Sequence, residues 1–178
     1  MNQQMGDTFL ISIIGRDKVG VVSAVSNYLF EAGANLADCA FAVLGEGFEF
    51  SCVAEFTAEM EQEELETGLN DLELLDGARI TVSKFPFKLL RGDSGTITHV
   101  VEISGGDRPG LVARMSEVLV DYGANIVRMS SRRVTSVGGG FDYRTRFAIN
   151  VAEPITGIEA ALYNTAGSLR LECSFEKV

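Results

Sequence analysis

The stretch GRDKVGVV, Gly15 to Val22, returns 90 positions later as GGDRPGLV, Gly105 to Val112. The same offset relates AGANL (Ala32 to Leu36) to YGANI (Tyr122 to Ile126), without a gap between the two matches. Chance rarely keeps Gly, Asp, Gly and then Gly-Ala-Asn in step over such a distance, so the chain is a duplication. In a chain of 178 residues each copy lies near the lower size limit for burying a stable core alone. The predicted division is residues 1–85, a linker at 86–95 and residues 96–178. The linker, PFKLLRGDSG, has the Pro and Gly-Asp-Ser-Gly composition of a connection.

Periodicity changes in the same order within both copies. In the first, TFLISIIG reads as a strand, and VGVVSAVSNYLFEAG as a helix burying Val22, Val25 and Leu29 before Gly33 stops it. NLADCAFAVL and FEFSCVAEF follow as strands joined at Gly45 to Gly47. MEQEELETGLNDLELL is an acidic helix with Leu65, Leu69 and Leu72 inward, and RITVSKF closes the unit as a strand. In the second, TITHVVEIS, PGLVARMSEVLVDYG, NIVRMSSRRVTS, DYRTRFAINV, a weaker helix near 155–166 and SLRLECSF repeat the order. The expected class is α+β: two ferredoxin-like βαββαβ modules, each an antiparallel sheet with its helices on one face. One sheet face or edge in each is then left for a partner to cover.

In both copies the glycine-flanked loop leaves the first strand and enters the first helix. A helix start offers unpaired N–H groups and the positive end of the dipole, which suit a small carboxylate. Asp17 and Asp107 are candidate caps for those amides, and Gly20 and Gly110 clear room for a ligand. Pro109 presets the backbone at the second helix start, where the first copy has Val19. Asn35 and Asn125 open the second strand of each copy; each either eases a turn or meets a ligand held by the loop.

Composition removes several function classes. The net charge of −10 lies entirely in residues 1–90, which hold five Lys or Arg against fifteen Asp or Glu; residues 91–178 hold ten of each. Phosphate backbones are repelled by such a half, so direct nucleic-acid binding is not expected. GFEFSCV faintly echoes an RNA-binding strand, but Glu46, Glu49 and Glu55 stand where cations would be needed. No apolar run reaches the roughly 18 residues of a membrane span, and MNQQMGD lacks the features of a signal peptide, so a cytoplasmic protein is expected. VGGGF has no Lys-Ser or Lys-Thr after its glycines, which argues against a phosphate-binding loop. With one histidine, His99, and Cys39, Cys52 and Cys173 far apart in sequence, a zinc site of the usual ligand types is not expected, and a Ser-His-Asp triad would have to use His99; the cysteines read as buried free thiols on strands. No cofactor and no enzymatic activity are expected. Arg128 and Arg132 share parity on one strand, and Arg144 and Arg146 on the next, so one sheet face is expected to carry an arginine group. That group is either solvated surface or a dock for an acidic surface on a partner or on the chain's own acidic half.

On GGDRPGLV…YGANI and GRDKVGVV…AGANL, set in this order of elements, the chain resembles tandem ACT domains, small amino-acid-binding regulatory modules. ADCAFAVLGEGFEF after the first GANL, with a second RPGLV module, is similar to the glycine-cleavage-system transcriptional repressor group, whose members lack a DNA-binding domain. Formyltetrahydrofolate deformylase begins with a similar module, but a second ACT-like copy replaces its catalytic domain here. The resemblance implies paired modules, with a homodimer the expected assembly, and an amino acid, glycine or similar, held between them. It also implies a protein partner such as a DNA-binding regulator. Carried over by position, the ligand-loop residues are Asp17, Val19, Gly20 and Val21, then Asp107, Arg108, Pro109, Gly110 and Leu111, with Asn35 and Asn125 on the second strands. Val19 departs from the usual proline, and Arg108 puts a charge beside the ligand path. A stand-alone regulatory subunit of an amino-acid-pathway enzyme is the alternative implied.

Overall fold

A computed structural model describes residues 6–90, 92–106, 108–152 and 156–178. The chain divides between Leu89 and Leu90 into two units. In the first, β1 (Thr8–Arg16), α1 (Val21–Glu31), β2 (Ala34–Leu44), β3 (Gly47–Phe56), α2 (Gln62–Asn70) and β4 (Arg79–Lys84) form an antiparallel sheet in the order β2-β3-β1-β4. The second has β5 (His99–Gly106), α3 (Leu111–Asp121), β6 (Asn125–Thr135), β7 (Phe141–Asn150), α4 (Ile158–Ser168) and β8 (Glu172–Lys177), in the order β6-β7-β5-β8. Each is the expected ferredoxin-like module.

Alternation along the strands decides which face meets the helices. Phe9, Ile11 and Ile13 of β1 and Phe48, Phe50, Cys52, Ala54 and Phe56 of β3 point into the first core, against Val21, Val25 and Leu29 of α1 and Leu65 and Leu69 of α2. Val101, Ile103, Phe147 and Ile149 do the same in the second, against Leu111, Met115 and Leu119 of α3 and Ile158 and Leu162 of α4. Each fully buried Leu, Ile or Phe contributes about 1.5–3 kcal/mol, so each module holds a core of its own.

Three details differ from the sequence reading. Helix α1 starts at Val21, and it is Val21 that is buried while Val22 is exposed, because the loop before it turns through Gly20. Helix α2 stops at Asn70; Leu72 lies beyond it, partly buried against the core before a 3₁₀ turn at Glu73–Leu75. Strand β8 begins at Glu172 because α4 runs to Ser168 and Arg170 takes a left-handed conformation (φ 57°) after it. The start of the weaker helix predicted near 155 falls at a position outside the described residues.

The thiols also differ from expectation. All three lie on strands, but Cys39 is exposed, Cys52 buried and Cys173 intermediate. Strand β2 lies at the sheet edge, and from Asp38 to Leu44 every residue is exposed. Cys39 and Cys52 are register partners across β2 and β3, on the helix-facing side. Burial raises the Cys52 thiol to about 12 and the Cys173 thiol to about 11. Burial raises the Cys39 thiol as well, but Cys39 alone is exposed, and reaction needs access as well as thiolate, so a maleimide at pH 8 should label one thiol of the native chain quickly and three after unfolding. Mass spectrometry should place the fast label on Cys39, and Cys39→Ser should remove it.

Candidate functional site

Both loops make the turn from strand to helix through one left-handed glycine. Gly20 (φ 95°) is the N-cap of α1 and Gly110 (φ 81°) that of α3, and neither helix has a side-chain cap. The expectation that Asp17 caps α1 is therefore not met. Its backbone N–H instead donates to Glu46 O at 3.0 Å, tying the loop to the β2–β3 turn, and its side chain is exposed. Asp107 lies outside the described residues. Among the described residues no side chain caps α3, and past Leu111, whose N–H donates to Arg108 O, its first-turn amides can serve an incoming acceptor.

The two loops have different surroundings. In the first, Val19 is fully exposed, Val21 is buried in the core, and Lys18 Nζ donates to Leu74 O at 3.3 Å. In the second, Leu111 N donates to Arg108 O at 3.1 Å, closing a turn around Pro109. Arg108 Nε donates to Leu169 O at 3.2 Å, so its guanidinium ties the loop to the last carbonyls of α4, where a cation is favoured.

Beside this second loop lies a cavity of about 260 Å³, lined by Arg108, Pro109, Gly110, Leu111, Val112, Ala113, Ser131 and Tyr143. The loop and the start of α3 make one wall; Ser131 of β6 and Tyr143 of β7 make the other. Ser131 Oγ and Thr145 Oγ1 share a hydrogen bond at 2.8 Å, and Thr145 is buried. Arg133 donates to the Tyr143 hydroxyl from Nε at 3.2 Å and Nη2 at 2.9 Å, orienting it. In the first module the matching register pairs are Phe41↔Phe50 for Ser131↔Thr145 and Val43↔Phe48 for Arg133↔Tyr143. Phe41 stacks on Phe48 with ring centroids 5.9 Å apart. Rings thus take the place of the hydroxyls in one copy.

Ser131, Tyr143 and Thr145 are absent from the sequence expectation. Their signal would have been parity combined with cross-strand register, and register depends on a hairpin length that differs between the copies. The asparagines of strand two lie elsewhere. Asn35 is at the Thr8 end of β1, through Asn35↔Glu55↔Thr8, whereas the loop follows Arg16; eight residues of strand span about 26 Å. Its amide donates to Glu55 Oε2 at 3.2 Å. Asn125, paired with Asn150 at the end of β6 remote from Arg108–Leu111, donates to Ser94 O at 2.8 Å. Asn150 donates to Asp93 O and Thr96 O, so the two amides pin the incoming linker. Neither asparagine meets a ligand held by the loop of its own module.

His99 is buried, stacks on Phe175 with centroids 4.9 Å apart and lies 3.0 Å from Thr98 Oγ1 through Nδ1. It is a core residue. Among the described residues, no group of three or more His, Cys, Asp or Glu is placed to hold a metal ion, and no helix is long and apolar enough to cross a membrane.

The left-handed N-cap has an energetic consequence. A Cβ at Gly110 would meet nothing within 4 Å, so Gly110→Ala should cost about 1–2 kcal/mol through backbone conformation alone. Gly110→Asn should recover part of it. Urea denaturation of the three proteins measures both.

Comparison with known proteins agrees with this architecture. ACT domain profiles match residues 7–79 and 99–162. No curated protein matches the sequence. Among solved structures, a protein of unknown function from Galdieria sulphuraria is 22% identical with a TM-score of 0.73, covering 97% of this chain and 98% of that one. A protein described as a candidate glycine cleavage system transcriptional repressor is 14% identical with a TM-score of 0.68, covering 98% and 99%. Two family matches, each on one βαββαβ unit, place this chain in the ACT-domain family as a tandem of two ACT domains.

Proposed function

We propose that the chain is a non-enzymatic, cytoplasmic amino-acid sensor that works as a homodimer, with the second module as its binding module. ACT domains are amino-acid-sensing regulatory modules. The observation that carries the reading for this chain is the cavity beside Arg108–Leu111. At about 260 Å³ it is smaller than the about 300–1,000 Å³ clefts that take drug-sized ligands, which suits a ligand of a few heavy atoms. The uncapped start of α3 stabilises a carboxylate. The hydroxyls of Ser131 and Tyr143 supply hydrogen bonds for the rest of a small polar ligand. Glycine or a similar small amino acid fits this chemistry.

Regulation then follows from differential binding. A ligand shifts an equilibrium only as far as its affinities for the two states differ, so occupancy of the cavity has to favour one packing of the module over another. Full-length likeness in fold to a candidate glycine cleavage system transcriptional repressor supports transcriptional control of glycine cleavage as the process. A DNA-binding regulator is the protein partner. Direct nucleic-acid binding is disfavoured by the excess acid in residues 1–90.

Calorimetric titration of the full chain against a panel of amino acids tests the reading. A small amino acid should bind at micromolar to millimolar concentration. Tyr143→Phe, which removes one hydroxyl, should weaken it about three- to tenfold. Ser131→Phe, which installs the ring that the first module carries as Phe41, should abolish it. Absence of binding by every amino acid at millimolar concentration contradicts the sensor. Copurification of a biosynthetic enzyme in place of a DNA-binding regulator would favour the regulatory-subunit alternative.

A further inference from the structure

The face of the second sheet that turns away from α3 and α4 carries a charge pattern that register makes explicit. Three rows run across its four strands in the order β6, β7, β5, β8. They read Arg132–Arg144–Ser104–Glu172, then Ser130–Arg146–Glu102–Ser174, then Arg128–Ala148–Val100–Glu176. All four arginines lie on β6 and β7, and all three glutamates on β5 and β8. The arginine group expected from parity is therefore real, but it is half of a pattern whose other half is acidic.

Within the face, Arg146 and Glu102 pair at 3.4 Å while both stay more than half exposed. Arg132 and Arg144 stand directly opposite each other on adjacent strands, a like-charge placement that is unfavourable without an outside counter-charge. Glu172 is three strands from Arg132, about 14 Å at ordinary strand spacing. That exceeds the Debye length of about 8 Å at physiological salt, so Arg132 and Glu172 do not neutralise each other within one copy. A concavity of about 720 Å³ lies over the first two rows, lined by residues that include Arg132, Arg144, Glu102 and Glu172.

We infer that this face is the homodimer interface, and that a second copy of the chain covers it face to face about a two-fold axis running along the strands between β7 and β5. Such an axis keeps each row at its own level and exchanges its ends. Arg132 then meets Glu172 of the other copy, Arg128 meets Glu176 and Arg146 meets Glu102, while Ala148 and Val100 are already buried within the chain. Each charged end of a row faces the opposite charge. Packed sheets cross at about 30°, which displaces rows one step from the centre, about 6.7 Å along the strand, sideways by about 3 Å. Arginine side chains span that displacement. A two-fold axis perpendicular to the strands would instead set arginine-rich β6 and β7 against their own copies.

The pattern belongs to the second module. Corresponding rows of the first read Ala42–Glu49–Ile14–Arg79 and Ala40–Ser51–Ser12–Thr81. The inference rests on the dimeric part of the proposed function and not on amino-acid binding, so it is tested without any amino acid present.

Sedimentation equilibrium of the full chain, in about 0.05 M and about 0.5 M salt, reads the outcome. A dimer is expected at low salt, with weaker association at high salt. Arg132→Glu and Glu172→Arg should each raise the dissociation constant at least about tenfold, since each acts twice in a symmetric interface. The double variant Arg132→Glu/Glu172→Arg should restore association to within a few-fold of the parent. Because the two residues are too far apart to pair within one copy, restoration requires contact between copies. Arg128→Glu, Glu176→Arg and their double ask the same question in another row and guard against one variant failing to fold. A chain monomeric at all concentrations, a dimer unchanged by the single variants, or doubles no better than the singles would overturn the inference.

Discussion

Each module depends on the alternation of side chains along its four strands, because two helices can cover only one face of a four-stranded sheet. On the covered face Phe9, Ile11 and Ile13 of β1 and Val101 and Ile103 of β5 are apolar and buried, and Leu29, Leu69, Leu119 and Leu162 close over them. On the other face polar and charged residues are free to form a pattern of their own. Core, cavity and charged rows are three consequences of the same period of two.

Duplication let the two modules diverge on that shared frame. The left-handed glycine at the helix start is kept in both, since a β-carbon there is strained whatever surrounds it. What changed is the wall opposite. Phe41, Phe48 and Phe50 occupy the register positions held by Ser131, Tyr143 and Thr145 in the second module, where Ser131 and Tyr143 line a cavity. The open face diverged too: the arginines of β6 and β7 face away from the helices, and the first module has no equivalent group at the matching rows. One copy therefore concentrates the features suited to binding.

Much of this was legible in the sequence. The 90-residue offset, the order of elements and the shared face of Arg128, Arg132, Arg144 and Arg146 follow from local pattern, and local pattern survives folding. The phase of α1 is not legible to the residue, because nothing local says that the turn is completed at Gly20, which makes Val21 and not Val22 the first inward residue. Asn35 and Asn125 looked close to the loops because one helix separates them in sequence. In space that helix carries the chain back to the far end of the sheet, where Asn125 holds the linker. Ser131 and Tyr143 were invisible because their meeting depends on the β6–β7 register. A thiol on a strand is usually buried, but β2 is an edge strand, and its stretch from Asp38 to Leu44 is exposed.

Two-dimensional amide NMR of the full chain during an amino-acid titration tests the central claim, that a small amino acid sits beside the second helix start, residue by residue. The account predicts shifts concentrated at Gly110, Leu111, Ser131 and Tyr143, with Gly20 and Phe41 unmoved. Shifts centred on Gly20 and Asn35, with Gly110 and Ser131 unmoved at saturation, would contradict it.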